Sequence, residues 1–352
     1  MHTLTLRENH MSRPSVAIAS LGGTISMTPS AAAGGVVPKL DAAQLVAAVP
    51  GLGELADISA EPIFQLPSAS LGPEQLLACL AWAEGKVAGG ARGVVLTQGT
   101  DTIEETAFFL DLYWRHPEPL IITGAMRTPL AAGADGPANL LAAVQVAMDD
   151  QSRGRGVLVV MNDTIHRARW VCKSDSLSVQ TFVSPDGGPA GRVVEGQPEY
   201  FHPPVDRPLA SPPTRRFPKV AVVPALLGDD GDLAVAALDL GYEAIVVAAF
   251  GAGHVSFGFA AHVERLSKVV PVVIASRTGA GATASRTYGF SGSEVDLARR
   301  GALLSKWLHP LKARLLLGAL LAAGTPREQI PDAFAKWGTL PRHSPIQQQP
   351  VP

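Results

Sequence analysis

Four short runs of apolar residues each end in a turn that carries glycine or hydroxyl side chains. These runs predict strands at residues 16–20, 93–96, 120–123 and 156–161. Helical spacing predicts helices near residues 42–49, 73–86, 103–114 and 137–150. Short apolar strands that alternate with helices are typical of a mostly parallel sheet covered on both faces. Such sheets bind ligands beyond the carboxyl ends of their strands, so we expect the four turns to share one functional edge.

Two of these turns present threonine hydroxyls. Gly22 and Gly23 follow the first strand and permit a tight turn that presents Thr24. The second strand passes through Gly99 to Thr100 in the same way. A free threonine hydroxyl is a weak nucleophile, so an enzyme that uses Thr24 needs a group to accept its proton. An alternative on this evidence alone is that Thr24 caps a helix after an ordinary turn.

Two aspartates in the turns have the positions of helix caps. Asp101 and Glu104 have the spacing of a capping box, in which side chains accept from the free N–H groups of a helix start. A helix that begins there would point its positive end at the pocket, which favours a substrate carboxylate or a developing oxyanion. Asp135, followed by Gly136 and Pro137, is predicted to cap the next helix.

Five stretches of the chain, taken together, are long and specific. They are SLGGTIS at 20–26, TQGTDTIEETA at 97–107, TGAMRTPLAAGADGPANL at 123–140, VVMNDTIHRARWVCKS at 159–174 and HPLKARLLL at 309–317. In this order they resemble the bacterial-type L-asparaginase/glutaminase family of threonine amidohydrolases, and the resemblance extends between Pro14 and Trp337. It implies hydrolysis of the side-chain amide of L-asparagine to L-aspartate and ammonia through an acyl-threonine intermediate, with glutaminase activity as a second expectation.

The resemblance also implies roles for individual residues. Thr24 corresponds to the nucleophile, and Thr100, Lys173 and Asp101 correspond to an acid/base relay. The aspartate also holds the substrate α-amino group, Ser68 hydrogen-bonds the substrate carboxylate, and the backbone at Ala125 lines the substrate amide. The predicted catalytic residues are therefore Thr24, Thr100, Asp101 and Lys173, and the predicted substrate-binding residues are Ser68, Asp101, Thr100 and Ala125.

Lys173 lies beside a cysteine in the stretch WVCKSDS. A single lysine in a loop is ordinarily a solvated charge, and it is the resemblance that assigns it a catalytic role here. Cys172 is a competing nucleophile, but no histidine in the chain occupies a recognisable partner motif. We therefore expect a threonine mechanism.

Four positions depart from the family pattern. Gln98 replaces the usual histidine of HGTDT, and its amide forms hydrogen bonds but does not titrate near neutrality. The loop at 27–40 has no tyrosine, Ala69 stands where glutamine is common, and Ala282 falls where many members donate an acidic residue from a neighbouring subunit. These losses weaken the assignment of L-asparagine itself. A related amide, a D-isomer, or a catalytically weak amino-acid-binding relative are the alternatives.

The chain divides at a connector at 202–218 that holds six prolines, which continue neither a helix nor a central strand. Beyond it, apolar runs at 219–227, 243–253 and 271–281 alternate with helices predicted near 233–240, 259–268 and 310–322. The predicted fold is α/β with two domains, the larger one doubly wound around a mostly parallel sheet. The predicted parts are a flexible leader at 1–13, a catalytic domain at 14–202, a linker at 203–218, a smaller α/β domain at 219–342 and a disordered tail at 343–352.

Composition argues against several classes of partner. The formal net charge is -2, without the basic excess that holds a phosphate backbone or an anionic membrane. With two cysteines in 352 residues, a disulfide framework is not expected, and the protein is predicted to be cytoplasmic. We expect no nucleic-acid or membrane partner, no cofactor and no metal. The expected partner is a small amino-acid amide, and the resemblance implies a homodimer or homotetramer.

Two further functions remain as alternatives from the sequence. One is the amidotransferase subunit that supplies ammonia to misacylated tRNA, although those relatives carry an added N-terminal module. The other is a nucleotide-binding or small-molecule-sensing domain, but LGGTIS matches neither of the common phosphate-binding glycine patterns.

Overall fold

The computed structural model describes residues 13–22, 27–30, 35–38 and 49–340. Most of the predicted leader, the predicted tail and nearly all of the predicted helix at 42–49 lie outside these residues. Thr24, the predicted nucleophile, also lies outside them.

The N-terminal domain is built on an eight-stranded sheet. The described strands of this domain, in chain order, are β1 (Ser15–Ser20), β2 (Met27–Ser30), β3 (Gly35–Pro38), β4 (Asp57–Pro62), β5 (Gly93–Thr97), β6 (Leu120–Thr123), β7 (Val157–Met161), β8 (Thr164–Arg167), β9 (Cys172–Lys173), β10 (Phe182–Val183), β11 (Gly191–Val194) and β12 (Gln197–Tyr200). The sheet has the order β12-β11-β8-β7-β6-β5-β1-β4, while β2 pairs with β3 and β9 with β10. The strands from β7 to β4 are parallel and the other three are antiparallel.

The inner parallel strands β1, β5, β6 and β7 are apolar because helices cover both of their faces, whereas the edge strand β4 is polar and largely exposed. The helices of this domain are α1 (Leu52–Leu55), α2 (Pro73–Ala88), α3 (Ile103–Tyr113) and α4 (Gly136–Met148). Leu96 of β5 shares a buried cluster with Phe108 of α3, whereas its neighbour Val95 shares another with Val144 of α4. The predicted doubly wound α/β fold is confirmed. The antiparallel extension was not anticipated, since periodicity alone does not set strand direction.

The C-terminal domain has a smaller parallel sheet. Its strands are β13 (Val220–Pro224), β14 (Ala244–Ala249), β15 (Val272–Ser276) and β16 (Leu303–Leu304), in that order. Its helices are α5 (Asp232–Asp239), α6 (Phe257–Val269), α7 (Glu294–Arg299), α8 (Pro310–Ala322) and α9 (Ile330–Trp337). Helix α8 packs against α3, so one apolar core continues from the first domain into the second. Within the part of the chain that is described, no helix has both the length and the apolar character needed to cross a bilayer.

Residues 203–219 form neither helix nor strand and run along the N-terminal domain. Arg155 donates to the carbonyl of His202 at 2.7 Å, and Arg167 donates to that of Pro203 at 3.2 Å. Arg207 forms an ion pair with Asp111, with 3.0 Å between Nη1 and Oδ1. Guanidinium groups thus hold a proline-rich segment whose backbone has few N–H groups of its own. The domain bounds remain a prediction.

Two arginines of this connecting segment make a matched test of what holds it. Arg207 pairs with the buried Asp111, whose pKa is raised by burial against the pull of Arg207. We expect Arg207→Met to lower the free energy of unfolding by about 3–5 kcal/mol, because it leaves a buried carboxylate unpaired. Arg215→Met breaks an exposed pair with Glu243 and should change it by less than about 1 kcal/mol. Urea unfolding followed by circular dichroism measures both, and equal losses would contradict this account.

Candidate active site

The candidate site lies where the strand order reverses. Among the parallel strands the order is β4-β1-β5-β6-β7. The strand after β1 in the chain, β4, lies on one side of β1, and β5, β6 and β7 follow on the other side. Crevices at such a reversal, beyond the carboxyl ends of the strands, are the usual ligand sites of open α/β sheets. The backbone N–H of Leu21, just after β1, donates to the carbonyl of Thr97 at the end of β5 at 2.8 Å. The turns that lead to Thr24 and Thr100 therefore leave the sheet side by side.

Glycine is required at position 22 for two reasons. Its φ is +104°, a conformation that side-chain-bearing residues rarely adopt. A Cβ there would also lie 2.5 Å from the carbonyl oxygen of Leu66. Gly22 thus has a conformation that glycine permits, and its close approach is to another backbone segment. Gly23 and Thr24 are outside the described residues.

Thr100 and Asp101 lie in a single 3₁₀ turn, Thr100–Thr102, that precedes α3. The predicted capping box is wrong: α3 begins at Ile103, and in the described structure the Asp101 carboxylate accepts from Lys173 and Ser68. The extra turn moves Asp101 away from the first N–H groups of the helix. Thr100 is buried, whereas the Asp101 side chain is 68% exposed and faces the crevice.

Lys173 reaches the turn from a separate hairpin. It ends the short strand β9, which pairs with β10 in register Phe182 to Lys173. Its Nζ donates to Thr100 Oγ1 at 3.0 Å and to Asp101 Oδ1 at 3.1 Å. The side chain is 15% exposed. An amine, a hydroxyl and a carboxylate thus converge, which is a set of groups that can move a proton to or from a nucleophile.

Ser68 is fixed to the same turn. Its Oγ donates to Asp101 Oδ2 at 3.4 Å, and its carbonyl accepts from Thr102 Oγ1 at 3.1 Å. The residue is buried in a 3₁₀ turn, Ser68–Ser70, between β4 and α2. The structure therefore brings together four of the six predicted site residues, namely Ser68, Thr100, Asp101 and Lys173.

Ala125 lies in a neighbouring loop that Asp135 holds in place. The Asp135 carboxylate accepts from the backbone N–H groups of Met126 and Arg127, at 2.9 Å each. It occupies the N-cap position of α4, as predicted, but within the described residues it braces this loop and its side chain accepts from none of the backbone N–H groups of the helix. Asn139 donates to the carbonyl of Gly124 and to the same carboxylate, both at 3.0 Å. Ala125 itself is buried, and its backbone role remains a prediction.

Gln98 occupies the position of the family histidine below this loop. It is buried, and its Nε2 donates to Gly99 O at 3.2 Å and to Thr102 Oγ1 at 3.3 Å. Its Oε1 has no hydrogen-bond partner among the described residues. The amide therefore stabilises the turn that carries Thr100, a structural contact that an uncharged side chain can make.

Two charged residues near Lys173 were not identified from the sequence as parts of the site. Burial raises the pKa of Glu104, and the charge of Lys312 and the backbone and charge of Lys173 pull it down. Burial lowers the pKa of Lys312 to about 8. Lys312 lies in HPLKARLLL, on the same helix face as the buried Leu316, and a lysine on an apolar stripe was the signal available.

Cys172 has the opposite character from an activated nucleophile. Burial raises the pKa of its thiol, and the carboxylate of Glu104 acts in the same direction. Since the thiolate is the reactive form, the raised pKa disfavours Cys172 as the nucleophile. Both cysteines of the chain are free. In the described ranges, no group of three or more His, Cys, Asp or Glu side chains is arranged to hold a metal ion.

Comparison with known proteins agrees with this geometry. Residues 15–206 match the family described as "Asparaginase, N-terminal", and residues 219–334 match "Glutaminase/Asparaginase C-terminal domain". The chain belongs to the asparaginase family.

Relatives and a solved structure cover nearly the whole asparaginase-family chain. A "Probable L-asparaginase" from Deinococcus radiodurans is 38% identical over 329 residues, covering 92% of this chain and 98% of the relative. A "Probable L-asparaginase periplasmic" from Haemophilus influenzae is 36% identical over 315 residues, 86% of this chain and 87% of the relative. The crystal structure of a probable cytoplasmic L-asparaginase from Campylobacter jejuni superposes with a TM-score of 0.84 at 34% identity, covering 92% of this chain and 100% of that one.

Neighbouring residues Lys173 and Cys172 allow a direct test of the proton relay. We expect Lys173→Met to lower kcat for amide hydrolysis by about 10²-fold or more, the scale for loss of a general base. Cys172→Ala should leave kcat within about twofold, because a thiol with a raised pKa is not the nucleophile. Steady-state ammonia release measures both. The contrary result would be a thiol alkylator that inactivates the wild type but not Cys172→Ala. It would contradict this assignment if the attached group is too small to block the crevice.

Proposed function

We propose that this protein hydrolyses the side-chain amide of L-asparagine to L-aspartate and ammonia. The observation that carries the proposal is the contact of Lys173 Nζ with both Thr100 Oγ1 and Asp101 Oδ1, at 3.0 and 3.1 Å, in a member of the asparaginase family. The relatives named L-asparaginase support the same activity. Glutaminase activity is proposed as a secondary activity, supported by the description of the C-terminal match.

In the proposed reaction the Thr24 hydroxyl attacks the amide carbon and forms a tetrahedral intermediate. The hydroxyl proton passes by way of the Thr100 hydroxyl to the free amine of Lys173, and the relay then gives this proton to the leaving nitrogen as the C–N bond breaks and ammonia departs. Water then attacks the acyl-threonine ester, and its proton returns through the same relay as Thr24 is released. Each cycle consumes one amide and one water and yields one carboxylate and one ammonium ion.

Asp101 and Ser68 are proposed to select an amino acid as the substrate. The Asp101 carboxylate is mostly exposed to the crevice while Lys173 holds one of its oxygens, so the group is fixed and still accessible to a substrate ammonium. Ser68 Oγ lies next to it and can turn to donate to the α-carboxylate.

We also propose that the protein assembles as a homodimer or homotetramer in the cytoplasm. The Asp101 side chain is largely exposed in the single chain, and a second subunit that covered it would exclude water from the pocket. Exclusion of water strengthens an ammonium–carboxylate pair, which supports the proposed assembly. Light scattering that gave a monomer mass would overturn the assembly. The cytoplasmic location rests on the description of the Campylobacter relative, and cell fractionation with recovery from the periplasm would overturn it.

The proposed activity is tested by ammonia release from L-asparagine, L-glutamine and D-asparagine. We expect the wild type to prefer L-asparagine, and Thr24→Ala to abolish release with an unchanged melting temperature, because only the attacking hydroxyl is lost. Thr24→Ser, which restores a hydroxyl, should recover part of the activity. A Thr24→Ala variant that retains more than a few per cent of the rate would exclude this nucleophile.

The role of Asp101 is tested by changing enzyme and substrate together. Asp101→Asn should raise KM for L-asparagine by about 10-fold or more, the scale for a hydrogen bond to a charged group. It should raise KM much less for succinamate, which is asparagine without its α-amino group. The loss of the Asp101 contact with Lys173 affects both substrates equally. The difference between their increases in KM therefore measures the interaction of Asp101 with the substrate ammonium. Equal increases for the two substrates would show that Asp101 does not bind the amine.

A further inference from the structure

Lys312 is a buried cation in the C-terminal domain that the proposed reaction does not use. Its side chain is 4% exposed, in the first turn of α8. Burial disfavours its charge, and a positive charge near a helix N-terminus is opposed by the helix dipole. Neither its burial nor its helix position therefore stabilises the ammonium, and the groups that it faces must do so.

Those groups belong to the other domain and lead directly to Lys173. The Lys312 Nζ donates to the carbonyl of Arg169 at 2.7 Å and to that of Val171 at 2.6 Å. Val171 is followed at once by β9, the two-residue strand that ends at Lys173. A two-stranded hairpin has marginal stability alone, so the position of Lys173 depends on what holds the segment before it.

Glu104 connects the two lysines from a second direction. It is half-buried in the first turn of α3, three residues after Asp101. After burial itself, the charge of Lys312 has the largest effect on its pKa, and Lys173 acts on it in the same direction. Lys312 thus compensates a carboxylate that borders both the hairpin and the turn of Thr100.

The C-terminal domain holds the far strand of the hairpin as well. Asp186, three residues after β10, accepts from His309 Nε2 at 2.9 Å and from the backbone N–H of Gly281 at 2.7 Å. His309 is the N-cap residue of α8. The first residues of α8 therefore contact the chain both before and after Lys173. The contact of Lys312 is the nearer of the two to Lys173 in sequence.

We infer that Lys312 is a positioning residue for the reaction: through the carbonyls of Arg169 and Val171 it holds Lys173 within reach of Thr100. This inference rests on the proposed function, because it concerns the relay of that reaction. It assigns the C-terminal domain a part in catalysis within the same chain.

A residue that acts only through Lys173 has a distinctive signature in a double-mutant cycle. We expect Lys312→Met to lower kcat for L-asparagine by about 10- to 100-fold, the scale for a displaced catalytic group, with KM nearly unchanged. The double variant Lys173→Met/Lys312→Met should then be no slower than Lys173→Met alone, within about twofold. Losses that multiply would mean a general structural role and overturn the inference.

Arg314→Met is the matched control. Arg314 lies two residues further along α8 and faces Glu105 of α3 at 3.7 Å, so it also spans the two domains, but its contacts are not with the hairpin. It should leave kcat within about twofold. A loss as large as that of Lys312→Met would assign the effect to domain packing.

Lys312→Arg covers the case in which Lys312→Met fails to fold. It retains the charge beside Glu104 but places a longer, planar group against the two carbonyls, so we expect a smaller loss of kcat that again vanishes in the Lys173→Met background. A crystal structure of either variant gives a readout that does not need activity. The Lys173 Nζ to Thr100 Oγ1 distance should exceed about 3.5 Å, beyond a hydrogen bond. An unchanged distance would overturn the inference even if the wild type proved inactive on every amide.

Discussion

The candidate site depends on one contact, in which the amine of Lys173 comes from outside the parallel sheet to the carboxyl ends of its central strands. Thr100 and Asp101 follow β5, which is buried on both faces, and Gln98 and Ser68 hold their turn. Lys173 instead stands on a two-residue strand beyond the antiparallel extension. Its 3.0 Å contact with Thr100 joins two parts of the fold that share no backbone ladder. The surrounding contacts from Asp101, Glu104 and α8 hold this junction.

The long motifs of the sequence are mostly scaffold for this junction and for the loop beside it. In MNDT, Asn162 and Asp163 both have positive φ, and they form the two-residue turn between β7 and β8. The N–H of Asn162 donates to Asn139, whose amide group holds Gly124 and Asp135. Asp135 in turn fixes the N–H groups after Ala125. The stretches at 123–140 and 159–174 are thus one hydrogen-bonded unit.

Much of this arrangement follows from the sequence, and the remainder is non-local. The four strands predicted for the N-terminal domain agree with β1, β5, β6 and β7 to within one residue at each end, because apolar runs between helices have few other stable arrangements, whereas the polar strand β4 was not predicted. The capping box at Asp101 failed because Lys173 and Ser68, from 72 and 33 residues away, compete for the carboxylate. Lys312 was missed for a related reason. Its partners are the carbonyls of Arg169 and Val171, and no local pattern predicts which backbone groups will face a helix 140 residues later.

One departure from the family pattern, Gln98, has a structural contact with the turn that carries Thr100. Gln98 is buried beside the Thr100 turn, where its uncharged amide donates a hydrogen bond to Thr102. The proposed relay has contacts from both domains, since Lys312 of α8 donates to the carbonyls of Arg169 and Val171 just before Lys173. A chain that ended at the proline-rich connector would keep both threonines, Asp101 and Lys173. It would lose Lys312, which satisfies the two carbonyls before Lys173, so the N-terminal domain alone would keep the groups of the proposed relay but not all of the contacts around them.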